Sequence, residues 1–309
     1  MTLELSKLQS TILKAVAIIF VIMSHTGIFP CGGAIGVHLF LVVSGYGIYC
    51  SLEKESDNYW KKRIKSVYLP YLFSTVIFLI ARYFLWGKLS FTTVIISLLG
   101  LDFNRNADPT MWYISYIFAC YLIAWIIFKL IKRPFLAILF GIFAFGTITL
   151  CGYKYIIWHQ GTIVWNYGFS FPLGMLLAKY RLTYGKRAKT VKIGMTIFSL
   201  AITLILLPMP HEKFIKLFFT LGFAVFVYCL LTSLITNGKR FIVRIFKAIG
   251  NQSYFMYLNE AFIIGALKLR GGIALNTLII VTCSFICAFI MHQIFQLCIK
   301  KVNNYLSRG

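Results

Sequence analysis

Two side chains in the first apolar run, LKAVAIIFVIMSHTGIF, are out of keeping with hydrocarbon: Lys14 and His25, eleven residues apart. On an α-helix that spacing returns to within ~20° of the starting direction and advances ~16 Å along the axis. The pair therefore shares one face, with a cation toward one end and an imidazole toward the other. Ionisable groups are costly inside a bilayer, so they are functional candidates by default. A neutral imidazole acts as a general base near neutral pH without further tuning. The plain alternative is a packed histidine bonded to Ser24 or to a backbone carbonyl. A second imidazole, His38, enters the next apolar run about as far as His25 from the turn Pro30-Cys31-Gly32-Gly33, which places the two at a similar depth.

The elements that must position these groups follow from composition. The chain has 309 residues, 60% of them hydrophobic and 13% charged, against about 25% charged in soluble domains. Apolar runs recur from end to end, so the expected fold is an all-α polytopic membrane protein with about ten transmembrane helices. They are read at 10–29, 33–51, 67–86, 111–128, 134–151, 163–178, 192–209, 214–236, 252–269 and 273–299, within a single transmembrane domain over 1–309. A net charge of +23 raises the question of nucleic acid. The basic residues, however, fall in short clusters between apolar runs, as topology signals do. Placing both termini inside puts most of these clusters on the cytoplasmic side, so an N-in/C-in orientation is expected. Residues 87–101 are apolar but too short to cross ~30 Å of hydrocarbon, and read as a re-entrant or interfacial segment on the outer side. The eight cysteines are scattered, mostly inside spans; Cys283 and Cys287, one helical turn apart, read as packing, and a disulfide between Cys31 and Cys151 near the outer surface stays open. No His, Cys and carboxylate cluster has metal-ligand spacing.

A string of motifs then resembles the membrane acyltransferase 3 family. Lys14-x10-His25 comes first, followed by GVHLFLVVSGYGI in the second run and YWKKRIKSVYLPY at 59–71. Met111-Trp112-Tyr113-Ile114-Ser115 opens a later run, and Ser253-Tyr254-Phe255-Met256-Tyr257-Leu258 lies in the ninth. The resemblance covers essentially the whole chain, and five motifs in the family's order are far more specific than any one of them. Three positions depart from the pattern. Lys14 stands where Arg is commoner, which keeps charge but loses bidentate phosphate binding. His38 stands where many members have Asp. Tyr257-Leu258-Asn259-Glu260 stands where many have Tyr-Leu-x-His, so any role of that histidine would pass to Glu260.

The resemblance implies transfer of an acyl group, usually acetyl from acetyl-CoA, to a hydroxyl of an extracytoplasmic carbohydrate. No bound cofactor is implied; acetyl-CoA is a co-substrate. The partners expected are a glycan or lipid-linked glycan acceptor and the lipid bilayer of a bacterial plasma membrane. A capsular or exopolysaccharide repeat unit fits the chain's size and the family's habit. Lys14, Lys61, Lys62, Arg63 and Lys65 are candidate partners for the phosphates of CoA, although positive-inside topology alone would also explain the last four. The pantetheine arm is about as long as the Lys14–His25 spacing, so the thioester would arrive near His25, the catalytic candidate. Ser44 and Tyr46 are candidates for lining the channel or stabilising an oxyanion; helix packing explains Ser44 as well. Asp102, Asp108 and Trp112 border the expected outer mouth, where Trp112 also suits an interfacial belt. Glu260, mid-span, must be protonated, paired or facing water. Intramembrane His and Glu would equally suit a small proton-coupled transporter or flippase, but the repeated halves common in transporters are not found. An inert structural subunit of a glycan-assembly complex is the third reading.

Overall fold

The computed structural model describes residues 4–54, 58–87, 89–101, 112–154, 166–182, 185–209, 213–235, 241–267 and 272–306, and all their regular structure is helical. In chain order the helices are α1 (Lys7–His25), α2 (Gly32–Glu53), α3 (Tyr59–Arg63), α4 (Leu69–Trp86), α5 (Phe91–Leu98) and α6 (Trp112–Leu130). They are followed by α7 (Pro134–Lys154), α8 (Ser170–Lys179), α9 (Gly185–Leu206), α10 (Lys213–Leu234), α11 (Phe241–Leu267) and α12 (Ile273–Leu306). Among the described residues seven helices are long and apolar enough to cross a membrane, and Pro134–Thr147 is a shorter apolar helix. The protein is a multi-pass membrane protein.

Three helices start well before the apolar runs that announced them. The span expected at 67–86 continues back to Tyr59 as one 27-residue helical stretch. Tyr59 is buried and the Arg63 guanidinium lies 5.3 Å from its ring centroid, so the basic residues ride on helix rather than on loop. Basic residues likewise occupy the first turns of α9 and α11, which start at Gly185 and Phe241 instead of 192 and 252. Charge at the ends of these helices masked their length, because an apolar window ends where a snorkelling Lys or Arg begins. The expected span at 163–178 is described only from its second part, as the ten-residue α8.

α3 and α4 are joined by a wide π turn, Ile64–Tyr68, closed by the Leu69 N–H on the Ile64 carbonyl. Pro70 is the cause: it has no N–H for the carbonyl one turn back, and its ring pushes that carbonyl aside. The carbonyl of Val67 in the widened turn instead accepts the Tyr254 hydroxyl at 2.8 Å.

The described residues cluster into two compact units. The first takes Met1–Asp57 and Tyr116–Gly250, the second Asn58–Ser115 and Asn251–Gly309. In the first unit α2 is central, packed on α1, α8 and α10. Its apolar core joins Leu13 and Ala17 of α1, Ile35, Leu39 and Val42 of α2, and Ala224 and Val227 of α10. The α2–α8 crossing is so close that a Cβ at Gly45 would collide with the Phe171 carbonyl, and one at Gly174 with the Val42 carbonyl. Small residues that let backbones touch are what association inside a membrane requires. In the second unit the eight-residue α5 lies beside α4, and hydroxyls seize the carbonyls at its C-terminal end. Tyr68 donates to Leu98 at 3.1 Å, Tyr71 to Ser97, and Ser115 to Gly100. Helix ends leave such carbonyls unpaired and water is scarce in hydrocarbon. These three hydroxyls therefore tie the C-terminal end of a helix too short to span to its neighbours, while Phe91 and Ile95 stay exposed.

Candidate functional site

α1 begins with a capping box in which Ser6 accepts the Gln9 N–H at 3.2 Å and the Gln9 side chain accepts the Ser6 N–H at 3.0 Å. The Gln9 amide then donates to the Thr232 and Ile235 carbonyls, at 2.7 and 3.2 Å, at the end of α10. One residue thus starts α1 and caps α10. Lys14 follows, half-buried, and makes no ion pair among the described residues. His25 is the last residue of α1 and is exposed. Just beyond it Gly27 adopts φ 85°, the left-handed conformation that ends helices. The Ser24 hydroxyl donates to the Pro30 carbonyl at 2.9 Å, which ties the turn down behind the imidazole. One straight helix therefore carries a half-buried ammonium and, eleven residues on, an accessible imidazole.

His38 sits differently from His25. The α1–α2 turn occupies 26–31, so His25 borders it while His38 lies about 9 Å farther along α2. The expectation of similar depth fails for this reason. His38 is 1% exposed, its Nδ1 is 2.5 Å from the Ser170 hydroxyl of α8, and its Nε2 is 3.1 Å from the Thr220 hydroxyl of α10. Thr220 already donates to the Lys216 carbonyl at 2.8 Å. A hydroxyl has one proton, so Thr220 must accept from Nε2–H; in the neutral imidazole with that tautomer, Nδ1 accepts from Ser170. The Tyr167 ring meets the imidazole edge-on at 4.9 Å. With all polar atoms satisfied, His38 fixes α2, α8 and α10 to one another. Ser170 and Thr220, 132 and 182 residues away in sequence, were invisible to pattern reading. The only hint was that a histidine inside an apolar string must have partners.

Tyr46 lies toward the other end of α1 from His25. Its hydroxyl accepts the Leu5 N–H at 2.9 Å. It therefore anchors the N-terminal segment. Ser44 is half-buried on the same helix. Near the Tyr46 end, Arg181 pairs with Glu53 and also donates to the Ala178 carbonyl at 2.9 Å. The neighbouring Glu53 carboxylate holds the Arg181 guanidinium above its ordinary range.

In the second unit, Lys61, Lys62 and Lys65 are exposed on α3 and the wide turn, and Arg63 is partly covered by its stacking on Tyr59. Trp112 opens α6, partly exposed, and Tyr113 beside it meets Tyr257 of α11 edge-on at 5.3 Å. Glu260 is fully enclosed. Asp102 and Asp108 lie outside the described residues.

A family model described as an acyltransferase domain matches residues 9–293. The chain belongs to the acyltransferase 3 family. No curated relative and no solved structure matches it. This acyltransferase thus carries its motifs on both units: Lys14, His25 and the GVHLFLVVSGYGI string on the first, and Pro70, Tyr71, Tyr113 and Tyr257 on the second. Several of these residues hold the fold directly. Tyr71 secures the end of α5, and Gly45 lets α2 touch α8.

Proposed function

We propose that this acyltransferase moves an acetyl group from cytoplasmic acetyl-CoA to a hydroxyl of an extracytoplasmic glycan, with a capsular or exopolysaccharide repeat unit as acceptor. One observation carries the reading: α1 holds a half-buried Lys14 and, at its far end, an exposed His25. With the basic clusters inside, the Lys14 end of α1 faces the cytoplasm, where CoA resides. Lys14 attracts the donor's phosphates; on the second unit Lys61, Lys62, Arg63 and Lys65 are phosphate-binding candidates in their own right. The pantetheine arm spans the ~16 Å to His25 and brings the thioester there. His25 takes the proton of the sugar hydroxyl as that oxygen attacks the thioester carbonyl. The C–S bond breaks, the thiolate of CoA takes the proton back from His25, and an ester is left on the glycan.

The decisive measurement is transfer of labelled acetyl from acetyl-CoA to glycan in membrane vesicles. His25→Ala should lower the rate by about 10²–10⁴-fold, the usual worth of a positioned general base, at unchanged protein level. Because His25 is exposed at a helix end, its loss should leave the melting temperature of the purified protein in place. Full activity in His25→Ala would refute the assignment.

A further inference from the structure

Helical Ser and Thr residues in a membrane protein usually return their hydroxyl to the carbonyl one turn earlier. In this chain Thr11, Thr196, Thr203, Thr232, Ser233 and Thr277 all do so, at 2.7–2.9 Å. Three buried residues of the second unit do not. Ser74 and Thr75 of α4 and Ser284 of α12 are 2%, 1% and 0% exposed, and none of their hydroxyls has a hydrogen-bond partner among the described residues. Asn259 of α11 is a fourth case: its amide N–H donates to the Ser284 carbonyl at 3.3 Å, while its Oδ1, 5% exposed as a residue, is bare.

By their positions along the helices these four residues fall between two sets of aromatic contacts. On one side Phe73 of α4 and Phe255 of α11 both pack on Phe295 of α12, with ring centroids 5.6 and 5.8 Å apart. On the other side Phe78 of α4 meets Phe262 of α11 at 5.5 Å. Ser74 and Thr75 lie between 73 and 78, Asn259 lies between 255 and 262, and Ser284 is its direct neighbour. Aromatic layers thus bracket a polar one. Each unpaired buried group costs about 1–3 kcal/mol, so several in one layer are hard to explain by folding alone.

We infer that this layer is a substrate subsite. These four groups are neutral, and the enclosed Glu260 carboxyl beside Asn259 further disfavours an anion. The hydroxyls both donate and accept, and Oδ1 accepts, so the matching ligand is neutral and bears paired donors and acceptors. Phosphate and carboxylate do not fit; an amide or an alcohol does. Two parts of the proposed reactants have that chemistry, the pantetheine amides of the donor and the hydroxyls of the sugar acceptor. The inference rests on the proposed acetyl-CoA and glycan reading for the identity of those reactants.

The test is the double variant Thr75→Val, Ser284→Ala of the full chain, with Thr75→Ser as the control that keeps a hydroxyl. Without substrates, the double variant should melt at or above the wild-type temperature, since it removes hydroxyls that bond nothing. In vesicles its KM should rise about tenfold, the worth of two neutral hydrogen bonds. A rise for acetyl-CoA alone assigns the layer to the pantetheine arm, and a rise for the glycan alone assigns it to the acceptor. Thr75→Ser should keep the wild-type KM for both. A melting temperature lowered by several degrees would make the hydroxyls structural and overturn the inference. Unchanged KM values for both substrates would also overturn it while leaving the function reading intact. Failure of the wild-type vesicles to transfer acetyl at all would instead sink that reading.

Discussion

In the unit built on α1, α2, α8, α9 and α10, buried polar side chains find one another across helices. In the unit containing α4, α5, α11 and α12, several do not. His38 satisfies both ring nitrogens through Ser170 and Thr220, and Gln9 serves two helix ends at once. Ser74, Thr75 and Ser284 leave their hydroxyls bare. A buried polar group that is paired fixes geometry, and one that is unpaired is a standing cost unless something arrives to meet it. The contrast separates residues that hold this acyltransferase together from residues that await a substrate.

The largest expected effect tests the tight side of that contrast. Gly174→Leu places a side chain where even a Cβ meets the Val42 carbonyl, backbone against backbone where α2 crosses α8. Backbones in a packed core cannot yield, so the variant should give no folded, monodisperse protein in detergent. Recovery of a normal melting curve would mean that α2 and α8 can separate, and the rigid frame argued for His38 would lose its basis.

His38→Ala probes the paired network itself. It strands the Ser170 hydroxyl in the buried interior, removes a donor to Thr220 and opens a ring-sized void. A loss of about 2–4 kcal/mol is expected from those terms, read as a clear fall in melting temperature. His25→Ala should show no such fall. Two histidines thirteen positions apart in sequence should thus divide, one governing stability and the other rate. Equal loss of stability in both would erase the distinction between them.

That division marks how far the sequence could be read. The shared face of Lys14 and His25, the all-helical membrane class and the family motifs were open to inspection, because helix period and motif order are local properties. Segment 87–101 was recognised as too short to cross, since length alone decides that. What holds it, the hydroxyls of Tyr68, Tyr71 and Ser115, comes from residues before and after it that no spacing rule connects. Sequence position pairs His38 with His25 because both flank one turn; the partners that separate them lie on α8 and α10. Helix starts at Tyr59 and Phe241 escaped because basic residues interrupt an apolar window without interrupting a helix.

The smallest expected effect checks whether pairing matters only where water is absent. Glu53 and Arg181 form an ion pair in the first unit, yet the Glu53 side chain is 40% exposed. Arg181 does not depend on it for position, because its guanidinium also donates to the Ala178 carbonyl in the last turn of α8. A cation there suits the carbonyl end of a helix whether or not a carboxylate is nearby. Glu53→Gln should therefore cost no more than about 1 kcal/mol, the usual ceiling for exposed pairs. The difference from wild type should shrink further in high salt, which screens what remains of the pair. A cost as large as that of His38→Ala, unmoved by salt, would show that pairing is worth as much in water as in the core. The cost assigned to the bare hydroxyls on α4 and α12 would then have to be argued on other grounds.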